Sequence, residues 1–436
     1  MQNLAAVYLW GDLVGALAYD PTSRISTFEY SNEWLNKGCN ISPLRMPLSS
    51  KKFQFPSLSA ETYRGLPALF ADTLPDDFGN AVINAWLTRN GRDVESFSSI
   101  ERLLYTANRG MGALEFEPAI ADYTNNNERL ELNSLIEMAQ DIFDQRANVS
   151  SNWQIKQENY NAMSALFQVG TSAGGARAKA LVAVNADRTQ LRSGQVDAPD
   201  GFEQYLLKFD GVEEHKIKSE VFGDPKGFGR MEFAYYLMAV DAGINMSPSE
   251  LLIDGNRAHF MTKRFDRKGN KKLHYVSLCA MDHADYRKPG IYSYEQLLST
   301  ARQLKLARKD AIEIFRRMVF NVIARNHDDH TKNFGFLLAS KDSSWQLSPA
   351  FDIAYSYKKD SPWVNAHQMS LNAKRDNFTR EDLLAVGALI GNFKKDSNNI
   401  IDEVISVVSK WQYYADKATV FDALSYEIGC NHRINL

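Results

Sequence analysis

Three cysteines in 436 residues, at Cys39, Cys279 and Cys430, are too few and too far apart for a disulfide framework. With no C-x-x-C pair, they read as free thiols of a reducing compartment. Long apolar runs are also missing. No stretch approaches the ~18 uninterrupted apolar residues that a membrane crossing requires, so no membrane partner is expected. The N-terminus has no basic region, and Asp12 interrupts its first apolar run, which argues against a secretory leader. Charge of one sign is lacking too. A net charge of −3, with no basic block, carries no electrostatic footprint for direct nucleic-acid binding. Internal repeats and low-complexity tracts are absent. What is left is a chain of ordinary apolar and charged content, long enough for two or three domains, with the cytoplasm as its expected location.

Against that plain background one stretch is dense in chemistry. Asn326-His327-Asp328-Asp329-His330-Thr331-Lys332-Asn333 follows Ile312, Phe315, Val319, Val322 and Ile323, which recur at helical spacing. It precedes Phe334 to Leu338, an apolar run that reads as a short buried strand. A polar cluster between two core elements is costly without a function. Asp328 and Asn333 are five apart, the spacing of the base and the metal-binding Asn in a protein-kinase catalytic loop. Fifteen residues after Asn333 begins Ser348-Pro349-Ala350-Phe351-Asp352-Ile353, with a second carboxylate for a metal at Asp352, nineteen residues on. Phosphoryl transfer needs one carboxylate to take the hydroxyl proton and oxygen ligands for Mg²⁺. Two other readings compete. Asn326 could simply cap the helix within a hydrogen-bonded polar loop. Alternatively, His327, Asp328 and His330 could hold the ion of a metal-dependent hydrolase.

Taken in order, residues 4–30 read as three strands with turns at Gly11-Asp12 and Pro21-Thr22-Ser23. A helix is expected over Ala81–Thr88, and the polar run Asp122 to Arg129 marks a boundary near residue 125. Gly170-Thr171-Ser172-Ala173-Gly174-Gly175, leading to Lys179, is small enough for backbone N–H groups to approach phosphate oxygens. A hairpin loop without a ligand would look the same. Tyr205 to Phe209 reads as a strand carrying Lys208, and Glu232, on a helix over Met231–Ala242, could pair with that lysine. Glu220 is a second candidate. Ala258–Met261 reads as a strand leading into Lys263-Arg264-Phe265-Asp266-Arg267. Glycine-rich loop, strand lysine, helix glutamate, connector, Asp-x₄-Asn and metal Asp is the order of a kinase. Helices follow over Leu383–Ile390, behind a Thr379–Asp382 capping box, then Ile400–Trp411 and Thr419–Ile428.

These residues together resemble the HipA family, the kinase toxins of bacterial toxin–antitoxin pairs, over nearly the full length. The most specific elements are Asn326-x-Asp328-x-His330-x-Lys332-Asn333-Phe334 and Leu347-Ser348-Pro349-Ala350-Phe351-Asp352-Ile353. Arg264-Phe265-Asp266-Arg267 is similar to the family's connector, and Leu66-Pro67 to Gly79 to its N-terminal domain. The resemblance implies an α+β, kinase-like two-lobed fold. Residues 1–125 would form an N-terminal α/β domain, 126–264 a region like a kinase N-lobe, and 265–436 a mainly helical C-lobe. It implies an ATP- and Mg²⁺-dependent Ser/Thr protein kinase, with Asp328 as base and Asn333 and Asp352 as metal ligands. ATP would be contacted by Gly170, Ser172, Ala173, Gly174, Gly175, Lys179, Lys208, His330 and Lys332. Lys263, Phe265 and Asp266 would face adenine and ribose. Ser172 would be autophosphorylated, silencing the enzyme. The implied protein substrate is a translation component such as an aminoacyl-tRNA synthetase. The implied partner is a helix-turn-helix antitoxin (HipB-like), through which operator DNA is reached. A catalytically inactive fold serving as an interaction module is the remaining alternative.

Overall fold

The computed structural model describes residues 2–36, 39–75, 77–120, 129–146, 178–213, 223–224 and 226–436. The chain divides into two compact units. One holds residues 1–41, 46–229 and 250–275, and the other 42–45, 230–249 and 276–436. The boundary expected near residue 125 falls outside the described residues.

Among the described residues, the first unit carries two larger sheets and two two-stranded ribbons. In the N-terminal sheet, β1 (Leu4–Leu9), β2 (Asp12–Asp20), β3 (Ile25–Tyr30) and β4 (Leu114–Glu117) lie in the order β3-β2-β1-β4. Ala5, Val7 and Leu9 alternate inward, as a strand with one buried face requires. The helix Asp77–Arg89 contains the one expected over Ala81–Thr88. The second sheet has the order β8-β9-β7-β5-β6, built from β5 (Lys179–Asn185), β6 (Leu191–Ser193), β7 (Phe202–Lys208), β8 (Ser249–Asp254) and β9 (Arg257–Lys263). β7 pairs antiparallel with β5 on one side and β9 on the other. The helix Leu132–Arg146 covers this sheet, its Leu135, Ile136, Ala139 and Ile142 sharing a core with Ala180, Val182, Val184 and Leu207.

The second unit is mainly helical. Its central element is the helix Arg308–Ile323, whose Phe315, Met318, Val319, Val322 and Ile323 are buried at the spacing read from the sequence. The helix Lys394–Val408 packs against it, and Phe315 meets Phe393 edge-on at 5.2 Å. The expected helix Ile400–Trp411 is in fact broken before Trp411. A separate short helix, Trp411–Lys417, begins there, with the Trp411 indole donating to the Ser425 carbonyl at 2.9 Å. The helix Arg380–Gly387 starts at the Thr379–Asp382 capping box, where Asp382 accepts the Thr379 N–H at 2.8 Å. β10 (Gly335–Leu338) is the short strand expected after the polar cluster, and it pairs with β11 (Gln346–Leu347). The fold is thus α+β. Among the described residues no helix is long and apolar enough to cross a membrane. Cys39, Cys279 and Cys430 are free thiols.

Candidate active site

The polar cluster begins where the Arg308–Ile323 helix stops. Arg325 takes the left-handed conformation (φ +56°), and the Asn326 N–H reaches back to the Asn321 carbonyl at 2.9 Å. The left-handed turn therefore falls on Arg325, not on Asn326. The Asn326 side chain instead donates to the Asn321 side-chain oxygen at 2.9 Å. The chain next runs extended beside Ser356, then closes a 3₁₀ turn over Thr331–Asn333.

This path sends the two adjacent carboxylates in different directions. Asp328 is 38% exposed, whereas the Asp329 carboxylate is wholly buried. Asp328 Oδ1 accepts the indole N–H of Trp363 at 2.8 Å, and its backbone carbonyl accepts the Asn333 amide at 2.8 Å. That second bond commits the Asn333 nitrogen and leaves its side-chain oxygen as the group that can bind a cation. Asn333 and Asp352 line the same small cavity with Asn326, Asp329 and Ala350. The Arg317 guanidinium, held by Glu313 at 2.8 Å, supports that cavity by donating to the Ser348 carbonyl at 2.8 Å. An amide oxygen and a carboxylate are hard oxygen donors, so this pair fits Mg²⁺. The His330 ring lies 5.3 Å from that of Tyr286, tilted by 58°, and the Lys332 ammonium lies 5.0 Å from the same Tyr286 ring. Asp328, Asn333 and Asp352 thus belong to one compact unit.

The metal-hydrolase arrangement is not assembled. His327 is fully buried, with Nδ1 3.1 Å from the Val364 carbonyl and its ring 4.1 Å from that of His367. Burial, then His367 and the cations Arg325 and Arg433, push its pKa down to about 2. Among the described residues, no group of three His, Cys, Asp or Glu side chains is placed to share an ion.

In the first unit, the β5–β7–β9 sheet places Lys179 directly opposite Lys208, with Phe260 opposite Lys208 on the far side. Both lysines are buried, and the Lys208 ammonium lies 5.7 Å from the Phe260 ring centre. Phe265 is partly buried, its ring 5.6 Å from Tyr275. Two side chains expected at adenine and ribose are otherwise engaged. Lys263 pairs with Glu203. Asp266 is fully buried: Oδ1 takes Arg264 Nε at 2.9 Å, while Oδ2 takes Arg264 at 2.8 Å, Arg267 at 2.7 Å and the Gly112 N–H at 2.8 Å. Its carboxylate is a structural anchor, and only its backbone is left for a ribose contact. Gly170, Ser172, Ala173, Gly174, Gly175 and Glu220 lie outside the described residues. Glu232 is buried on the helix Phe228–Asp241.

Two family models match this sequence: the HipA N-terminal domain over residues 5–117 and the HipA-like C-terminal domain over residues 171–411. The chain belongs to the HipA family. Among solved structures, HipA of Shewanella oneidensis MR-1, in a complex of HipA, HipB and operator DNA, is similar with a TM-score of 0.63 and 15% identity. That match covers 98% of this chain and 94% of the other. The Helicobacter pylori proinflammatory kinase CtkA gives a TM-score of 0.32 at 13% identity, covering 52% of this chain and 91% of that one.

Several residues at this HipA-family site escaped the reading of motifs. Trp363, His367, Gln368 and Tyr294 all reach Asp328 or Asp329, yet they lie some 30 to 40 positions away along the chain. No helical or strand period links them to the cluster. The one available signal was an indole and a lone histidine in an otherwise polar stretch after Asp352.

Proposed function

We propose that this chain is an ATP- and Mg²⁺-dependent Ser/Thr protein kinase and the toxin of a toxin–antitoxin pair. The observation that carries this reading is the convergence of Asp328, Asn333 and Asp352 in one unit, in the order and spacing of a kinase catalytic loop and metal carboxylate. Asp328 is the base. With Oδ1 held by Trp363, Oδ2 takes the proton of the acceptor hydroxyl. The hydroxyl oxygen then bonds to the γ-phosphorus as the bond to the bridging oxygen of ADP breaks. Asn333 and Asp352 are the residues that would hold Mg²⁺, which when bound offsets the charge on the phosphoryl oxygens. Lys208 and Lys179, opposed on β7 and β5, would contact the nucleotide phosphates, and His330 and Lys332 would help to orient them. The residues of the glycine-rich loop would cover those phosphates, and the backbone of Lys263, Phe265 and Asp266 would face adenine and ribose.

Family membership supports the toxin role. The Shewanella HipA, seen with HipB and operator DNA, supports a HipB-like antitoxin as partner, with DNA reached through it. The proposed substrate is a translation component such as an aminoacyl-tRNA synthetase, and Ser172 is the proposed autophosphorylation site. The kinase reading is tested by ADP release and labelled-phosphate transfer from Mg-ATP. Asp328→Asn keeps the shape of the side chain and removes the proton acceptor, so transfer should fall by about 10²–10⁴-fold. Transfer within threefold of wild type would remove Asp328 from the role of base.

A further inference from the structure

Asp328 and Asp329 are joined by more than the peptide bond between them. Starting from Asp329, the buried carboxylate accepts the Tyr294 hydroxyl at 2.7 Å and His367 Nδ1–H at 2.9 Å on one oxygen. Its other oxygen accepts the Gln368 N–H at 2.8 Å. Tyr294 is itself fixed by the Asn321 amide at 3.0 Å. The Gln368 side chain then donates to the Trp363 carbonyl. Ser361 Oγ caps the turn below, accepting the N–H groups of Trp363 and Val364, each at 3.2 Å. The Trp363 indole closes the circuit onto Asp328 Oδ1 at 2.8 Å. Residues 361–368 are therefore strung between neighbouring carboxylates, anchored in the core by one and presenting an N–H donor to the other.

We propose that Trp363 is a positioning residue for the phosphoryl-transfer base, and that Asp329 and Gln368 act through it. The proposal rests on reading Asp328 as that base. A carboxylate at the edge of a site turns freely about its last bond. One charge-assisted hydrogen bond from a rigid indole commits Oδ1 and leaves Oδ2 as the proton acceptor. A buried carboxylate receiving three donors at 2.9 Å or less gives that indole a fixed base. The contact lies on the protein side of the base, so it should govern the chemical step and not the binding of nucleotide.

The simpler view is that the circuit only stiffens the loop, and three measurements on the full chain separate the two. First, Trp363→Phe keeps the ring and removes the N–H. ADP release from Mg-ATP should show kcat down by about ten- to a hundredfold, with KM for ATP within twofold and the melting temperature little changed. Second, Gln368→Met should lower kcat too, and the double variant should fall no further than the worse single one. Third, each of the seven tryptophans gives one indole cross-peak in a ¹⁵N-correlated spectrum. The peak missing from Trp363→Phe identifies Trp363, and it should move upfield in Asp328→Ala. An unmoved peak, or a kcat for Trp363→Phe within threefold of wild type while Asp328→Asn is inactive, would overturn the positioning role. Undiminished turnover by Asp328→Asn, with the indole peak still shifting in Asp328→Ala, would instead sink the base assignment while leaving the contact standing. A wild-type chain that releases no ADP would remove the kinase reading and the positioning role together.

Discussion

Replacing Asp266 with Asn should unfold the region around it well before the rest of the chain. Burial alone would push this carboxyl up. Arg264, then Arg267 and the Gly112 N–H, more than reverse that and hold it well below the usual carboxylate range. The two guanidiniums are also enclosed, with side-chain exposures of 3% and 5%. Asn would keep the size but set an amide against five-donor forks and leave two buried cations facing no anion. Arg267 also donates to the carbonyls of Gly110 and Gly112, at 3.2 and 2.9 Å, so the damage should spread to the turn before β4. Removing one partner of a buried ion pair typically costs about 3–5 kcal/mol. At a urea dependence of about 1–3 kcal/mol per molar, the unfolding midpoint should drop by at least about 1 M. Hydrogen exchange read on peptides spanning residues 108–117 and 264–275 reports on this region separately. The pH dependence has a definite sign. Because the folded-state pKa is depressed, the stabilisation is complete above the unfolded Asp value of about 3.9 and is lost as pH falls below it. The gap between wild type and variant should therefore hold from pH 7 to 5 and narrow toward pH 3. A midpoint unchanged within about 0.3 M, roughly a third of the smallest effect expected, together with weakened ATP binding, would refute the anchor role and return Asp266 to the ribose.

Two other outcomes test the proposed site. Asp352→Ala should weaken binding of Mg-ATP more than that of metal-free ATP, read by titrating nucleotide with and without Mg²⁺; equal losses would make Asp352 purely structural. At Ser172, a phosphate adds about −1.5 to −2 charge among residues proposed to cover the ATP phosphates. Ser172→Asp should therefore lose nucleotide affinity while Ser172→Ala keeps it, and mass spectrometry after incubation with Mg-ATP should place phosphate on Ser172 and not on Thr171.

The local patterns were decided by residues near one another in the chain. Ala5, Val7 and Leu9 alternate, so β1 could be read directly. Phe315, Val319 and Val322 repeat at helical spacing, so the helix that delivers Asp328 could be read as well. Asp328 and Asn333 are tied locally as well, the Asn333 amide donating to the Asp328 carbonyl five residues back. Capping at Thr379 is likewise a matter of three residues. By contrast, which of two adjacent aspartates faces outward depends on groups brought in from elsewhere. Tyr294 and His367 make Asp329 the buried one, and Trp363 reaches back to Asp328. Asp266 shows the same limit. Its neighbours read as a connector, with Asp266 expected at the nucleotide, but the Gly112 N–H, 154 positions away, and two arginines turn its carboxylate into a core anchor. Periodicity and capping depend on backbone geometry within a few residues, which sequence carries. The direction of a charged side chain depends on which donors the fold assembles to offset its lost hydration, and only the tertiary structure supplies those.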